Sequence, residues 1–147
     1  MRVSEILPTK RSSLVHVGPS ATVGSAVRLM RQHRVGCVLV LDSDRSLMGV
    51  LSERDVVHAF ALDPVNLLDR LALDIAHKDS PTASSHDTIQ SVMEVMTATR
   101  SRHVPVIEFG RVIGIVSIGD VVKSRLEEKT QENAVLQEIA RAQYFAG

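Results

Sequence analysis

The two halves of the chain repeat one another, and this repetition limits the fold more than any other feature. Shifted by 66 positions, Thr22 falls on Thr88, Ser25 on Ser91, Met30 on Met96 and Arg34 on Arg100, while Val38 and Val40 fall on Val104 and Val106. Further along the offset becomes 65: Gly49 meets Gly114, Ser52 meets Ser117, Asp55 meets Asp120, and Val56-Val57 meets Val121-Val122. The slip lies between Asp42-Ser43-Asp44-Arg45 and Glu108-Phe109-Gly110-Arg111, both turn-like in composition. A turn is where a change in length disturbs no hydrogen-bonded ladder. The chain is one structural unit written twice.

Each copy reads as βαββα. A short strand opens it, Leu14-Val15-His16-Val17 in the first copy and the more polar Pro81-Thr82-Ala83-Ser84 in the second. A helix follows, with apolar residues at i, i+3, i+4 and i+7: Val23, Ala26, Val27 and Met30, then Ile89, Val92, Met93 and Met96. Two β-rich runs around a turn come next, Cys37–Leu41 with Leu47–Leu51 and Val104–Ile107 with Val112–Val116, and their spacing predicts a hairpin. A second helix opens at Ser52 or Ser117. One such unit buries too little core to stand alone, so the two are expected to pack sheet against sheet.

Two segments fall outside this register. Residues 1–13 read as a short helical turn, Val3–Leu7, and a loop, with Pro8 ending the turn. After Lys123 come strong helix formers without Gly or Pro until Gly147, and Leu136, Ile139 and Ala140 give them one apolar stripe. This is either a helix packed on its own module or a dimerisation helix. The Glu127-Glu128-Lys129 run reads as its solvated face.

Charge and composition exclude several classes of function. Seventeen basic residues balance seventeen acidic ones, so the basic excess that supplies most affinity for nucleic acid is missing. With no Trp and only 3% aromatic residues, platforms for stacking bases are scarce too. The apolar runs Cys37 to Leu41 and Leu47 to Leu51 fall far short of a membrane span, and Met1-Arg2-Val3-Ser4-Glu5 does not begin a signal peptide. Cys37 is the single cysteine, which rules out an intrachain disulfide and suits a cytoplasmic protein; in its apolar strand it reads as a small buried hydrophobe. The six histidines (16, 33, 58, 77, 86 and 103) show no metal-ligand spacing, and no Ser/His/Asp arrangement, P-loop or dinucleotide fingerprint is present. No metal site and no catalytic centre are expected.

The element shared by both copies is Gly-x-x-Ser-x-x-Asp: Gly49 to Asp55 and Gly114 to Asp120. It falls where a strand ends and a helix begins, where unpaired N–H groups and the helix dipole favour an anion. A hydroxyl there can donate to a phosphate, and a carboxylate one turn on can accept both hydroxyls of a ribose. The same Ser-x-x-Asp is equally a capping box that satisfies the backbone of its own helix.

The βαββα repeat, the Thr-Val and Thr-Ile helix starts, His103-Val104-Pro105-Val106 and the paired Gly-x-x-Ser-x-x-Asp segments together resemble the cystathionine-β-synthase (CBS) domain family, two of whose domains in tandem form a Bateman module. The resemblance covers roughly residues 9–126. It implies an α/β fold of two βαββα repeats related by a pseudo-twofold, with a C-terminal helical extension. The expected division is a first domain over 9–70, a second over 76–135, an N-terminal helical turn over 1–8 and a C-terminal helix over 124–146.

In that family the paired domains form clefts for AMP, ADP or ATP, and sometimes NAD or S-adenosylmethionine. The resemblance implies a non-catalytic sensor that requires no cofactor, pairs as a homodimer and acts on a separate protein. Ser52 and Asp55 would serve one cleft and Ser117 and Asp120 the other, with Thr22-Val23 and Thr88-Ile89 near the bases. Arg102, His103 and Arg54 are the expected phosphate partners. Arg54 corresponds to Gly119, and Cys37 to His103, so the clefts are expected to differ. The alternative is a protein-interaction scaffold whose clefts are degenerate and empty.

Overall fold

The computed structural model of the protein describes residues 1–7 and 14–146. Pro8, expected to end the first turn, and the opening of the first domain at residue 9 lie outside the described residues. The first repeat contributes β1 (His16–Val17), α2 (Val23–His33), β2 (Cys37–Leu41), β3 (Leu47–Ser52) and α3 (Glu53–Leu62). The second contributes α5 (Ile89–Thr99), β4 (His103–Glu108), β5 (Arg111–Ser117) and α6 (Ile118–Ala146). Two four-residue helices, α1 (Val3–Ile6) and α4 (Ala72–Ile75), precede the repeats.

β2 carries the architecture because it is buried on both sides. Strand alternation sends Val38 and Val40 to the core beneath α2, beside Ala26, Met30 and Leu51. It sends Cys37, Leu39 and Leu41 the other way, against Val112, Ile107 and Ile115 of the second repeat. A strand buried on both faces needs a continuous apolar run, and Cys-Val-Leu-Val-Leu supplies one. The two sheets thus share an apolar layer, as the short core of a single repeat demanded.

The hairpins account for the slip in the repeat. Leu41 pairs with Leu47 across five intervening residues, whereas Ile107 pairs with Val112 across four. In the first turn the Asp42 carboxylate accepts the Asp44 and Ser46 N–H groups at 2.9 Å each. In the second, Phe109 and Gly110 both take positive φ (51° and 76°), the conformation of a tight two-residue hairpin turn.

Three elements differ from expectation. The second repeat has no opening strand: Ala83 forms one parallel bridge to Val106, while Ser84 and Ser85 turn aside to bind the Glu108 carboxylate. The C-terminal helix does not begin at 124, since α6 runs unbroken from Ile118 to Ala146 with no Gly or Pro to stop it after its first turn. Beyond Glu128 it does not pack on its own module; Leu136 is 62% and Ile139 49% exposed.

Residues 1–7 do not lie outside the repeat. α1 packs in the core of the second repeat, where Val3 and Ile6 meet Ile89, Val92 and Val104. α4 packs in the core of the first, beside Val38 and Leu51. The two contacts match bond for bond: Ile89 N–H donates to Met1 O and Val3 N–H to Asp87 O, while Val23 N–H donates to Arg70 O and Ala72 N–H to Ala21 O. Each repeat is therefore completed by a helix that stands in front of the other one.

Candidate functional site

The four predicted helix starts all form. Thr22 and Thr88 cap α2 and α5, each Oγ1 accepting an N–H three residues on, from Ser25 and Ser91, at 3.1 Å. Ser52 and Ser117 cap α3 and α6. In the first repeat the Asp55 N–H donates to Ser52 Oγ at 3.3 Å and the Ser52 N–H to Asp55 Oδ2 at 2.8 Å. The second repeat has the same pair, at 3.2 Å and 2.8 Å between Ser117 and Asp120. Both motifs are thus capping boxes, which uses part of each carboxylate and leaves the rest to its surroundings.

Those surroundings differ. In the first repeat His77, two residues past α4, sits on the carboxylate: its Nε2 lies 2.6 Å from Asp55 Oδ1. The His77 backbone exchanges two hydrogen bonds of 2.9 Å with Val50 on β3, which fixes the ring there. Ser52 Oγ donates to Asp55 Oδ2 as well, at 2.9 Å, so both oxygens are engaged and the Asp55 side chain is only 9% exposed. Nearby Cys37 has its thiol pushed up to about 12 by burial and by the Asp55 charge, which keeps it protonated and unreactive.

In the second repeat Ser117 and Asp120 border a cavity of about 330 Å³ between the repeats. Its apolar walls include Leu14, Val15, Ile113 and Ile115, and His103 and Arg34 line it as well. Both repeats build it. The cleft has an apolar flank and a polar end beside a helix N-terminus, which suits a flat aromatic ring joined to a polyhydroxylated, anionic tail.

The glycine of each motif has a reason of its own. A Cβ on Gly49 would lie 2.9 Å from the Ala76 Cβ, and one on Gly114 would lie 2.8 Å from the Leu7 Cδ2. The residues that trail α4 and α1 cross the strands here: at Gly49 the neighbours are a Cβ and a backbone carbonyl that cannot move, at Gly114 the far end of a leucine side chain.

Of the predicted residues, His103, Ser117 and Asp120 come together at the cavity. Ser52 and Asp55 form the closed counterpart described above. Val23 and Ile89 are core residues, 0% and 1% exposed, with N–H groups spent on Arg70 and Met1. Thr88 and Ile89 border a separate hollow of about 360 Å³ with Met1 and Arg125. Arg54 and Arg102 are exposed, and the Arg102 carbonyl accepts the Ile118 N–H at 2.8 Å. Sequence reasoning missed two residues: His77, which lies far from Asp55 along the chain, and Arg34, whose pairing with Arg100 in the repeat was the available signal.

Comparison with known proteins agrees with this geometry. The family model described as CBS domain matches residues 3–62 and 72–127. A solved CBS-domain-containing protein from Agrobacterium tumefaciens is 38% identical, superposes with a TM-score of 0.80 and covers 85% of this chain and 99% of its own. A CBS domain protein from Pyrobaculum aerophilum, solved in complex with AMP, is 30% identical with a TM-score of 0.73, over 82% of this chain and 89% of its own. Hypoxic response protein 1 of Mycobacterium tuberculosis is 32% identical over 110 residues, 73% of this chain and 75% of its own length.

Proposed function

The chain belongs to the CBS domain family, with two copies of the domain, and on that footing we propose that it is a regulatory module that binds an adenine nucleotide and acts on a separate protein. The observation that carries this reading is the cavity between the repeats, with Ser117 and Asp120 at its polar end. AMP in the complex from Pyrobaculum aerophilum supports the adenine assignment. In this reading Asp120 receives the ribose hydroxyls, Ser117 and the α6 N-terminus face the phosphate, and the base lies along the apolar wall. In this reading the nucleotide lies in this cavity, and His77 lies against the carboxylate of the other motif. The module does no chemistry: binding draws the repeats together and so alters the surface a partner meets.

Assembly and location belong to the same proposal. Val57 on α3 and Val122 on α6 are equivalent positions of the repeat and are 64% and 52% exposed. Val57 and Phe60 on α3, and Ile118, Val122 and Leu126 on α6, offer exposed apolar side chains to a second copy, giving a homodimer. No helix among the described residues is long and apolar enough to cross a membrane. The neutral charge and the single, buried cysteine fit a module working in the cytoplasm, away from nucleic acid.

Thermal unfolding with AMP, ADP, ATP, NAD and S-adenosylmethionine tests the reading. A ligand at about 100 times its dissociation constant adds roughly 2.7 kcal/mol per site. The expected result is a shift with an adenine nucleotide that Asp120→Ala abolishes and Asp55→Ala leaves in place. A second reading, a scaffold with degenerate clefts, draws on the capping boxes that occupy both carboxylates. It stands if no ligand moves the midpoint.

A further inference from the structure

Helices α2 and α5 end in the same unusual way. Their C-terminal caps, Arg34 and Arg100, are in the left-handed conformation, with φ 54° and ψ 47° in one and φ 56° and ψ 29° in the other. Glycine is the usual occupant of that position, because any side chain there meets the backbone. Arg34, from the first repeat, nonetheless lines the same cavity as Ser117 and Asp120 from the second. Among the described residues it is the only lysine or arginine that lines the cavity, and none of their ion pairs involves it.

We propose that Arg34 is the phosphate-binding residue of this cleft and restricts it to phosphorylated adenosine mononucleotides. The proposal rests on the nucleotide reading above and adds which member of that ligand class the site takes. A guanidinium offers a fork of N–H donors that matches the oxygens of a phosphate and keeps its charge at every physiological pH. With Asp120 on the ribose and Ser117 beside the 5′-phosphate, Arg34 would hold that phosphate from the first repeat, so that one ligand joins the two repeats. A cavity of about 330 Å³ is at the small end of the range for ligand sites, which disfavours a dinucleotide. S-adenosylmethionine has no phosphate and carries a sulfonium cation that Arg34 would repel.

The decisive variant is Arg34→Gly. It removes the guanidinium while giving the cap the residue its backbone favours, so the fold is kept; a urea midpoint at or above wild type confirms this. Calorimetric titration of the full chain with adenosine and with AMP is the measurement, on wild type, Arg34→Gly, Arg34→Lys and Arg100→Gly. Arg34→Gly is expected to weaken AMP roughly 10- to 100-fold, the worth of a charge-assisted contact, and to leave adenosine unchanged. Arg34→Lys should recover part of the loss, and Arg100→Gly should bind AMP as wild type does. If Arg34→Gly binds AMP normally, or weakens adenosine as much as AMP, the role of Arg34 is overturned while the nucleotide site stands. If neither compound binds wild type, the site and the role of Arg34 fall together.

Discussion

The two repeats share their helix caps, their hairpins and their strand-end glycines, yet among the described residues the second motif borders a cavity of about 330 Å³ while the carboxylate of the first is held by His77. The motif builds the helix start in both; what differs is what the neighbouring chain places over that helix start. In the first repeat α4 leads into His77, whose ring and backbone close over Asp55 and Val50. In the second, Asp120 faces a cleft walled by Leu14, Val15 and Arg34 of the other repeat. Duplication thus preserved the fold twice and left the function to the residues between the copies.

Substituting the two glycines gives the largest test of this contrast. Gly49→Ala would press a methyl against the Ala76 Cβ at 2.9 Å, with the His77 carbonyl at 3.4 Å, and neither can swing away. Gly114→Ala would meet the far end of the Leu7 side chain, which can rotate. Denaturant unfolding should show Gly49→Ala destabilised by about 1–3 kcal/mol and Gly114→Ala by much less. Equal losses would mean that α1 and α4 are held with the same rigidity.

His77→Ala has a smaller effect on stability and a clearer one on binding. His77 is 69% exposed, so its contact with Asp55 contributes well under 1 kcal/mol after screening by water. Releasing Asp55 should raise the nucleotide stoichiometry from one to two per chain in a calorimetric titration. A wild-type protein that already binds two would break the contrast outright.

The smallest difference lies at the hairpin ends. Asp42 pins its own turn, whereas its counterpart Glu108 reaches the loop before α5. The hydroxyl and N–H of Ser85, then the hydroxyl of Ser84, hold the Glu108 carboxyl below its ordinary value of 4.5. A carboxyl more acidic in the folded state contributes stability that is fully present above the unfolded value and is lost as pH falls below it. Below about pH 4.5, therefore, wild type should lose a little stability that Glu108→Gln never had, as read from thermal midpoints across an acid series.

The fold was legible because its determinants are local and occur twice. The helix periodicity of Val23 to Met30, the apolar run of β2 and the Ser-x-x-Asp caps each speak through nearest neighbours in sequence. The pairing of α1 with α4 was not legible: four residues with one shared isoleucine and one acidic position are too short to stand out. In the site, His103, Ser117 and Asp120 were within reach because they adjoin a recognisable strand end. Arg34 and His77 were not, since Arg34 lines a cavity built with the other repeat and His77 reaches Asp55 from the linker between the repeats. Pro81 to Ser84 failed as a strand because the Ser84 and Ser85 N–H groups bond the carboxylates of Asp87 and Glu108 in place of a neighbouring strand.

The reciprocal placement of α1 and α4 makes the molecule a clasp. Each half holds the piece its neighbour needs, so a half severed between α3 and α4 would expose the floor of its own core and carry a helix with nowhere to dock. A chain with a single repeat could satisfy itself only by trading that helix with another copy of itself. The present protein has the connectivity of such an intertwined pair with one end of each strand spliced to the next. Its first seven residues are therefore the keystone of the distant half, and a change made at the very start of the chain will be felt at the cavity between the repeats, which Leu7 lines.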